Sequence, residues 1–310
     1  MREKDGFAAK RVAPGGAPSH HLRRRLIPYG LLAPGAIFLI LFFLVPMYFM
    51  GEMSLRAGIP NTPEGFTFNW EFSNYSDALQ GRGEQIVRTF YYAGAATILA
   101  LLIAYPLAYA IALKVNPRWR LPLLFAVIAP FFTTYLIRTV AWETILADAS
   151  PIVDVLKFLQ VVPDDGRVLA TGGAVIAGLT YNFLPFMVLP IYASLERIDT
   201  SLIEAGKDLY ASARQAFLRV TLPLTMPGVV AGVLLTFIPA FGDYVNAEFL
   251  GGATNTMIGN RIQSTYLEES NYPEAAALSF LMMAAVLIVV LVYIRLAGTE
   301  AFVGAEDEER

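Results

Sequence analysis

Six stretches of the chain carry no charged side chain: residues 26–51, 89–113, 121–137, 168–195, 220–242 and 275–294. A bilayer core of about 30 Å is crossed by roughly 20 residues of helix, so each stretch predicts a membrane span. The third spans only if Arg138 sits at an interface. Several windows contain Pro or Gly, which membrane helices tolerate. The pattern therefore predicts an all-α polytopic membrane protein with six transmembrane helices. Between the fourth and fifth windows lies one long polar stretch with helical spacing, Glu196–Pro223. Ser201 with Glu204 and Ser212 with Gln215 have the spacing of two capping boxes, which predicts two short helices joined near Tyr210. Ala213, Ala216, Phe217 and Val220 fall at i, i+3, i+4 and i+7 and form one apolar face, with Arg214 and Arg219 on the other side. Pro223 lacks a backbone donor and suits the opening of the next helix. A helical hairpin held at the membrane face is built to be gripped by another protein.

Composition agrees with the pattern, since 56% of residues are hydrophobic and only 16% charged. Charge then gives the orientation. With the N-terminus inside, sixteen of the 23 Lys and Arg residues fall on inner segments, which predicts both termini on the cytoplasmic side. The same count puts the Glu196–Pro223 hairpin in the cytoplasm. Residues 1–25, rich in Gly, Pro, Ala and bases, predict a disordered cytoplasmic tail. The triplet Arg23-Arg24-Arg25 precedes an apolar run too long for a cleaved signal, so the first span reads as a retained signal-anchor. Residues 26–85 hold the first span and an outer loop, with an interfacial helix expected within 52–85. Residues 142–167 read as amphipathic and 243–274 as an outer loop. Residues 298–310 form a cytoplasmic tail. The outer segments hold fifteen acids against six bases, an acidic external face suited to drawing in cations.

Several functions are excluded on the same grounds. The only histidines, His20 and His21, lie in the tail, so there is no HExxH zinc site. The chain has no cysteine, no GxSxG elbow and no GxxxxGK[ST] loop. If ATP drives this protein, another chain must bind it. A net charge of −3, with bases that follow topology, argues against nucleic acid. A self-sufficient secondary transporter or channel is the main alternative to an ATP-driven subunit. Such proteins usually show inverted repeats or charged relays within their spans.

The hairpin also carries a resemblance. Glu204-Ala205, position 210, and then Val220-x-Leu222-Pro223 are spaced as in the EAA loop of binding-protein-dependent ABC importer permeases. Three identities depart from that loop: Gly206 stands for the second Ala, Tyr210 for the turn Gly and Val220 for Ile. Further on, Phe241-Gly242-Asp243-Tyr244, Leu250-Gly251-Gly252, Met257-Ile258-Gly259-Asn260 and Ala275-Ala276-Ala277-Leu278-Ser279 resemble the closing region of spermidine/putrescine-type permeases. Pro130 with Tyr135-Leu136-Ile137-Arg138-Thr139 and Ala141-Trp142 is similar to the third span of that subfamily.

The resemblance implies the type I importer permease fold, with a five-helix core over 86–297 and the first span added. It implies a bacterial inner-membrane subunit that pairs with a second homologous permease and stands on two cytoplasmic ATPases. An extracytoplasmic substrate-binding protein would feed the pair. This chain would bind no cofactor of its own, and ATP and Mg would belong to the ATPases. Polyamines are the implied cargo, with other small solutes as the alternative. The implied ATPase-coupling residues are Glu204, Ala205, Gly206, Leu209, Tyr210, Ala211, Val220, Leu222 and Pro223.

Arg138, Tyr181, Asn182, Asp243 and Tyr244 are the candidates for a substrate path. Each has a plainer reading. Asp243 either faces the path or is a helix-end acid in water. Arg138 either serves substrate, pairs with Glu143, or snorkels to the interface. Tyr181 and Asn182 either line a cavity or bond between helices, and Gly228 with Gly232 is a packing motif.

Overall fold

The computed structural model describes residues 31–58, 65–199, 201 and 212–297. It divides into two units, Met1–Glu52 and Met53–Arg310. In the first, α1 (Leu31–Met53) is apolar on every side and buries none of its side chains, as a helix facing lipid does. It widens into a π-turn over Ile40–Leu44. Pro46 follows, and the ring of a helical proline collides with the carbonyl four residues back, here Phe42. The wide turn falls on that carbonyl.

The second unit is built around α7 (Gly172–Glu196), which buries residues on most of its circumference. On one side α3 (Gly83–Lys114) offers Ala93, Ala96, Ala100, Ala104 and Ala108, all fully buried. These recur every three or four residues, so one face of α3 is a stripe of small side chains that lets α7 come close. On another side α8 (Ala213–Phe241) approaches through Gly228 and Gly232. A Cβ on Gly228 would meet the Ser194 hydroxyl and the Pro190 carbonyl, and one on Gly232 would lie 2.8 Å from the Met187 sulfur. The GxxxG pair is thus a packing motif, as read from sequence. The last span, α10 (Tyr272–Ala297), keeps much of its surface apolar and exposed.

The third window differs from its expectation. Instead of one helix over 121–137, the chain forms α4 (Pro117–Phe132) and α5 (Tyr135–Leu146), bent by 94°. The last turn of α4, Ala129–Phe132, tightens to 3-10 geometry around Pro130, and Thr133 and Thr134 are extended with ψ of 141° and 137°. The described chain thus has five helices long and apolar enough to cross a membrane, or six with the bent pair.

Between α1 and the next helices, β1 (Arg56–Gly58) and β2 (Phe66–Phe68) pair antiparallel, with Arg56 opposite Phe68. A short helix, α2 (Ser73–Leu79), follows in the segment where an interfacial helix was expected. Asn74 donates to the carbonyls of Ser54 and Arg56, at 3.0 and 2.9 Å, and fixes α2 to the hairpin. Arg82 pairs with Glu274 at the start of α10. The described residues 53–58 and 65–85 belong to the second unit. Two further short helices are α6 (Pro151–Phe158) and α9 (Ile258–Leu267).

Candidate functional site

A buried polar cluster sits where α5, α7 and the end of α8 meet. Asp243, two residues past α8, is 7% exposed, so its carboxylate needs donors in place of water. It has them. The Tyr135 hydroxyl donates to Oδ2, and the backbone N–H of Asn246 donates to Oδ1 at 2.7 Å. Burial still pushes the Asp243 carboxyl above its ordinary range, with the Tyr135 and Asn246 bonds opposing. The expectation of a helix-end acid in water is overturned, because the chain folds back over this residue after α8.

Asn246 extends the network. Its side-chain amide donates to the Tyr135 hydroxyl at 2.5 Å, and its Oδ1 accepts from Asn182 Nδ2 at 3.1 Å. Asn182 also reaches Thr139 Oγ1 at 3.5 Å. The Asn182 Oδ1 is buried with no hydrogen-bond partner among the described residues, an acceptor left free within the same side chain. Gly178 leaves the space, since a Cβ there would lie 2.7 Å from Asn246 Oδ1.

Arg138 is one turn along α5 from Tyr135, on the same face. Its guanidinium carbon lies 4.9 Å from the Phe131 ring centroid and 5.6 Å from that of Tyr135. It is 7% exposed, and its Nε has no hydrogen-bond partner among the described residues. Neither snorkelling nor the Glu143 pair is realised: the guanidinium is buried, and among the described residues no ion pair joins Arg138 to Glu143. The 94° break explains this, because it turns α5 inward instead of letting Arg138 end a straight span.

Two of the sequence-derived candidates lie apart from the cluster. Tyr181 packs on Trp142 with ring centroids 5.4 Å apart, and Tyr244 is 43% exposed. In their place the structure brings in Tyr135, Thr139 and Asn246. The first two stand beside Arg138 in a quoted motif. Asn246 carries a local signal that was missed: it follows Asp243 by three residues, the spacing at which an Asp side chain caps a backbone N–H.

Two of the quoted motifs hold each other. The side-chain amide of Asn260 donates to the Tyr244 carbonyl at 2.9 Å and to Glu248 at 2.8 Å, while its oxygen accepts from the Met257 N–H at 3.0 Å. Gly259 lets the segments touch, since a Cβ there would lie 3.2 Å from the Asp243 carbonyl. Met257–Asn260 is therefore the clamp that fixes the backbone presenting Asp243.

At the other end of α8 the Ser212–Gln215 capping box is formed, at 3.3 and 2.9 Å. The next helix does not begin at Pro223. α8 runs unbroken from Ala213, widening to a π-turn at Phe217–Thr221, and that turn contains the carbonyl of Arg219 four residues before Pro223. Val220 lies in the turn, with Leu222 and Pro223 directly after it. Phe217 packs edge-on against Tyr105 and Tyr109, and the Tyr105 hydroxyl bonds Thr225 at 2.8 Å. Upstream, Asp199 accepts the Ser201 N–H at 2.9 Å, which holds its carboxyl below the ordinary range. Ser201 is already helical, so the cap falls before the predicted one. Glu204, Ala205, Gly206, Leu209, Tyr210 and Ala211 lie outside the described residues.

Residues 104–298 match the family described as binding-protein-dependent transport system inner membrane component. The spermidine/putrescine transport system permease protein PotB of Haemophilus influenzae is 37% identical over 261 residues, covering 83% of this chain and 89% of that protein. PotB of Escherichia coli is 40% identical over 200 residues, covering 64% and 72%. Among solved structures, a bacterial alginate ABC transporter in complex with an alginate pentasaccharide-bound periplasmic protein contains a chain that superposes with a TM-score of 0.65. The identity is 18%, covering 91% of this chain and 97% of that one.

Proposed function

This chain belongs to the family of binding-protein-dependent transport system inner membrane components, and on that premise we propose that it is the permease subunit of an ATP-driven polyamine importer. The observation that carries the reading is that one continuous helix, α8, has the EAA-type loop at one end and buried Asp243 at the other. At 1.5 Å per residue its 29 residues reach roughly 40 Å, the full depth of a bilayer.

In this reading the loop of Glu204, Ala205, Gly206, Leu209, Tyr210 and Ala211 seats in a groove of a cytoplasmic ATPase. Val220, Leu222 and Pro223 pass the ATPase's motion into α8. ATP and Mg belong to two such ATPases, and this chain does no hydrolysis. A second permease subunit completes the path, an external binding protein delivers cargo, and both termini lie in the cytoplasm.

The cargo follows from chemistry as well as from kinship. A polyamine presents ammonium groups, each of which needs acceptors when it leaves water. Asp243, the Tyr135 hydroxyl and the free Asn182 Oδ1 supply them in one place. The acidic outer segments raise the local concentration of such cations.

Uptake of labelled putrescine and spermidine in a strain lacking this chain is the test. Wild type restores uptake, and Asp243→Asn, which keeps the volume and removes the charge, lowers it at least about tenfold. Full uptake by Asp243→Asn removes the ammonium site, and no restoration by wild type removes the polyamine assignment.

A further inference from the structure

One group in the cluster is unused by the reading above, and it has the wrong sign for a cation path. Arg138 is buried, lies over two aromatic faces, and has an Nε without a partner. A buried charge is normally paired, and the buried acid nearest in the network, Asp243, is instead bound through Tyr135 and Asn246. Tyr135 stands between the two, its ring beneath the guanidinium and its hydroxyl on the carboxylate.

Aromatic faces attract any cation placed over them, whether guanidinium or ammonium. We propose that Arg138 is a tethered stand-in for the cargo, occupying the Phe131–Tyr135 seat until an ammonium group displaces it. The inference rests on the polyamine reading and names the group that its cargo must displace. Two cations in a water-poor space repel strongly, so the cargo settles only as Arg138 leaves. The geometry gives Arg138 a way out. Because Tyr135 rides on the same helix, the exit is a swing of the arginine side chain about its own single bonds. Its Nε has no hydrogen bond among the described residues to break.

Specificity and release then have one cause. A neutral solute gains nothing from the rings or the carboxylate and leaves Arg138 seated. A cation that does displace it is pushed on when Arg138 returns.

The experiment uses the whole transporter in lipid nanodiscs, without the external binding protein, and measures retention of labelled spermidine and putrescine. Arg138→Met keeps the stem and removes the charge. It is expected to tighten half-saturation about tenfold and to slow maximal uptake in cells by a similar factor. An arginine that only supports the fold would not split the two in opposite directions. Arg138→Lys, which keeps a cation for the seat, stays near wild type, and adding Asp243→Asn to Arg138→Met cancels the gain. Equal retention by wild type and an assembled Arg138→Met transporter overturns the proposal. If Arg138→Met sheds its ATPases on purification, Arg138→Gln decides the same comparison. Failure of the wild type to take up either polyamine in cells strikes the cargo assignment instead.

Discussion

Tyr135 is the residue on which the cluster turns. Its hydroxyl donates to Asp243 and accepts from Asn246, and its ring lies under Arg138. Tyr135→Phe removes only the oxygen. The carboxylate then keeps the Asn246 N–H and loses its other donor, at a cost of about 1–3 kcal/mol for a buried polar group left short of a partner. The purified transporter should melt earlier, and polyamine uptake should fall while the chain still reaches the membrane. An unchanged melting midpoint would mean that water or another donor replaces the hydroxyl. The Tyr135–Asp243 bond was not readable from spacing, because the two stand 108 residues apart. The sequence marks Asp243 as an acid beside an apolar window, which is where legibility stops: burial depends on the chain folding back through Asn246, and hydropathy does not register that return.

Among the elements, the packing of α8 on α7 turns on two missing side chains. Gly228→Ala would push a methyl into the Ser194 hydroxyl and the Pro190 carbonyl, one of them backbone and unable to yield. Overpacking of this kind costs about 1–3 kcal/mol. Gly94→Ala on α3 is the control, since a Cβ there meets nothing within 4 Å. Thermal unfolding of the two variants should separate them, with Gly94→Ala neutral or better and Gly228→Ala lower. Equal midpoints would show that the helices slide apart at little cost. The small-residue faces were legible in part: Gly228 and Gly232 declare themselves in sequence, while the alanine stripe of α3 is hidden among other apolar residues. The broken third window was not legible. Pro185 and Pro190 lie inside α7, which stays one helix, whereas the chain breaks just after Pro130. A proline alone does not decide; what matters is whether neighbouring helices hold the freed carbonyl in place.

At the scale of the whole molecule, α8 joins the end that carries the EAA-type loop to the buried carboxylate, and its π-turn lies between them. Each residue of an α-helix turns the chain by about 100°, and a π-turn holds one residue more than the turn it replaces. Phe217–Thr221 is therefore an angular setting. It fixes the compass bearing of Arg214 and Gln215 relative to Asp243, much as the tooth of a gear fixes the timing of a shaft. Deleting exposed Leu218 together with Pro223→Ala should keep the bearing. Pro223→Ala alone removes the ring that forces the turn open and keeps every residue, so it should leave a straight helix whose loop points about 100° away. Such a protein should insert and fold while losing its ATPases or their cargo-stimulated activity, and normal coupling would show that bearing is irrelevant. Pro223 then has a role beyond ending a motif: by keeping the wide turn wide, it holds the two ends of the transporter in time with each other.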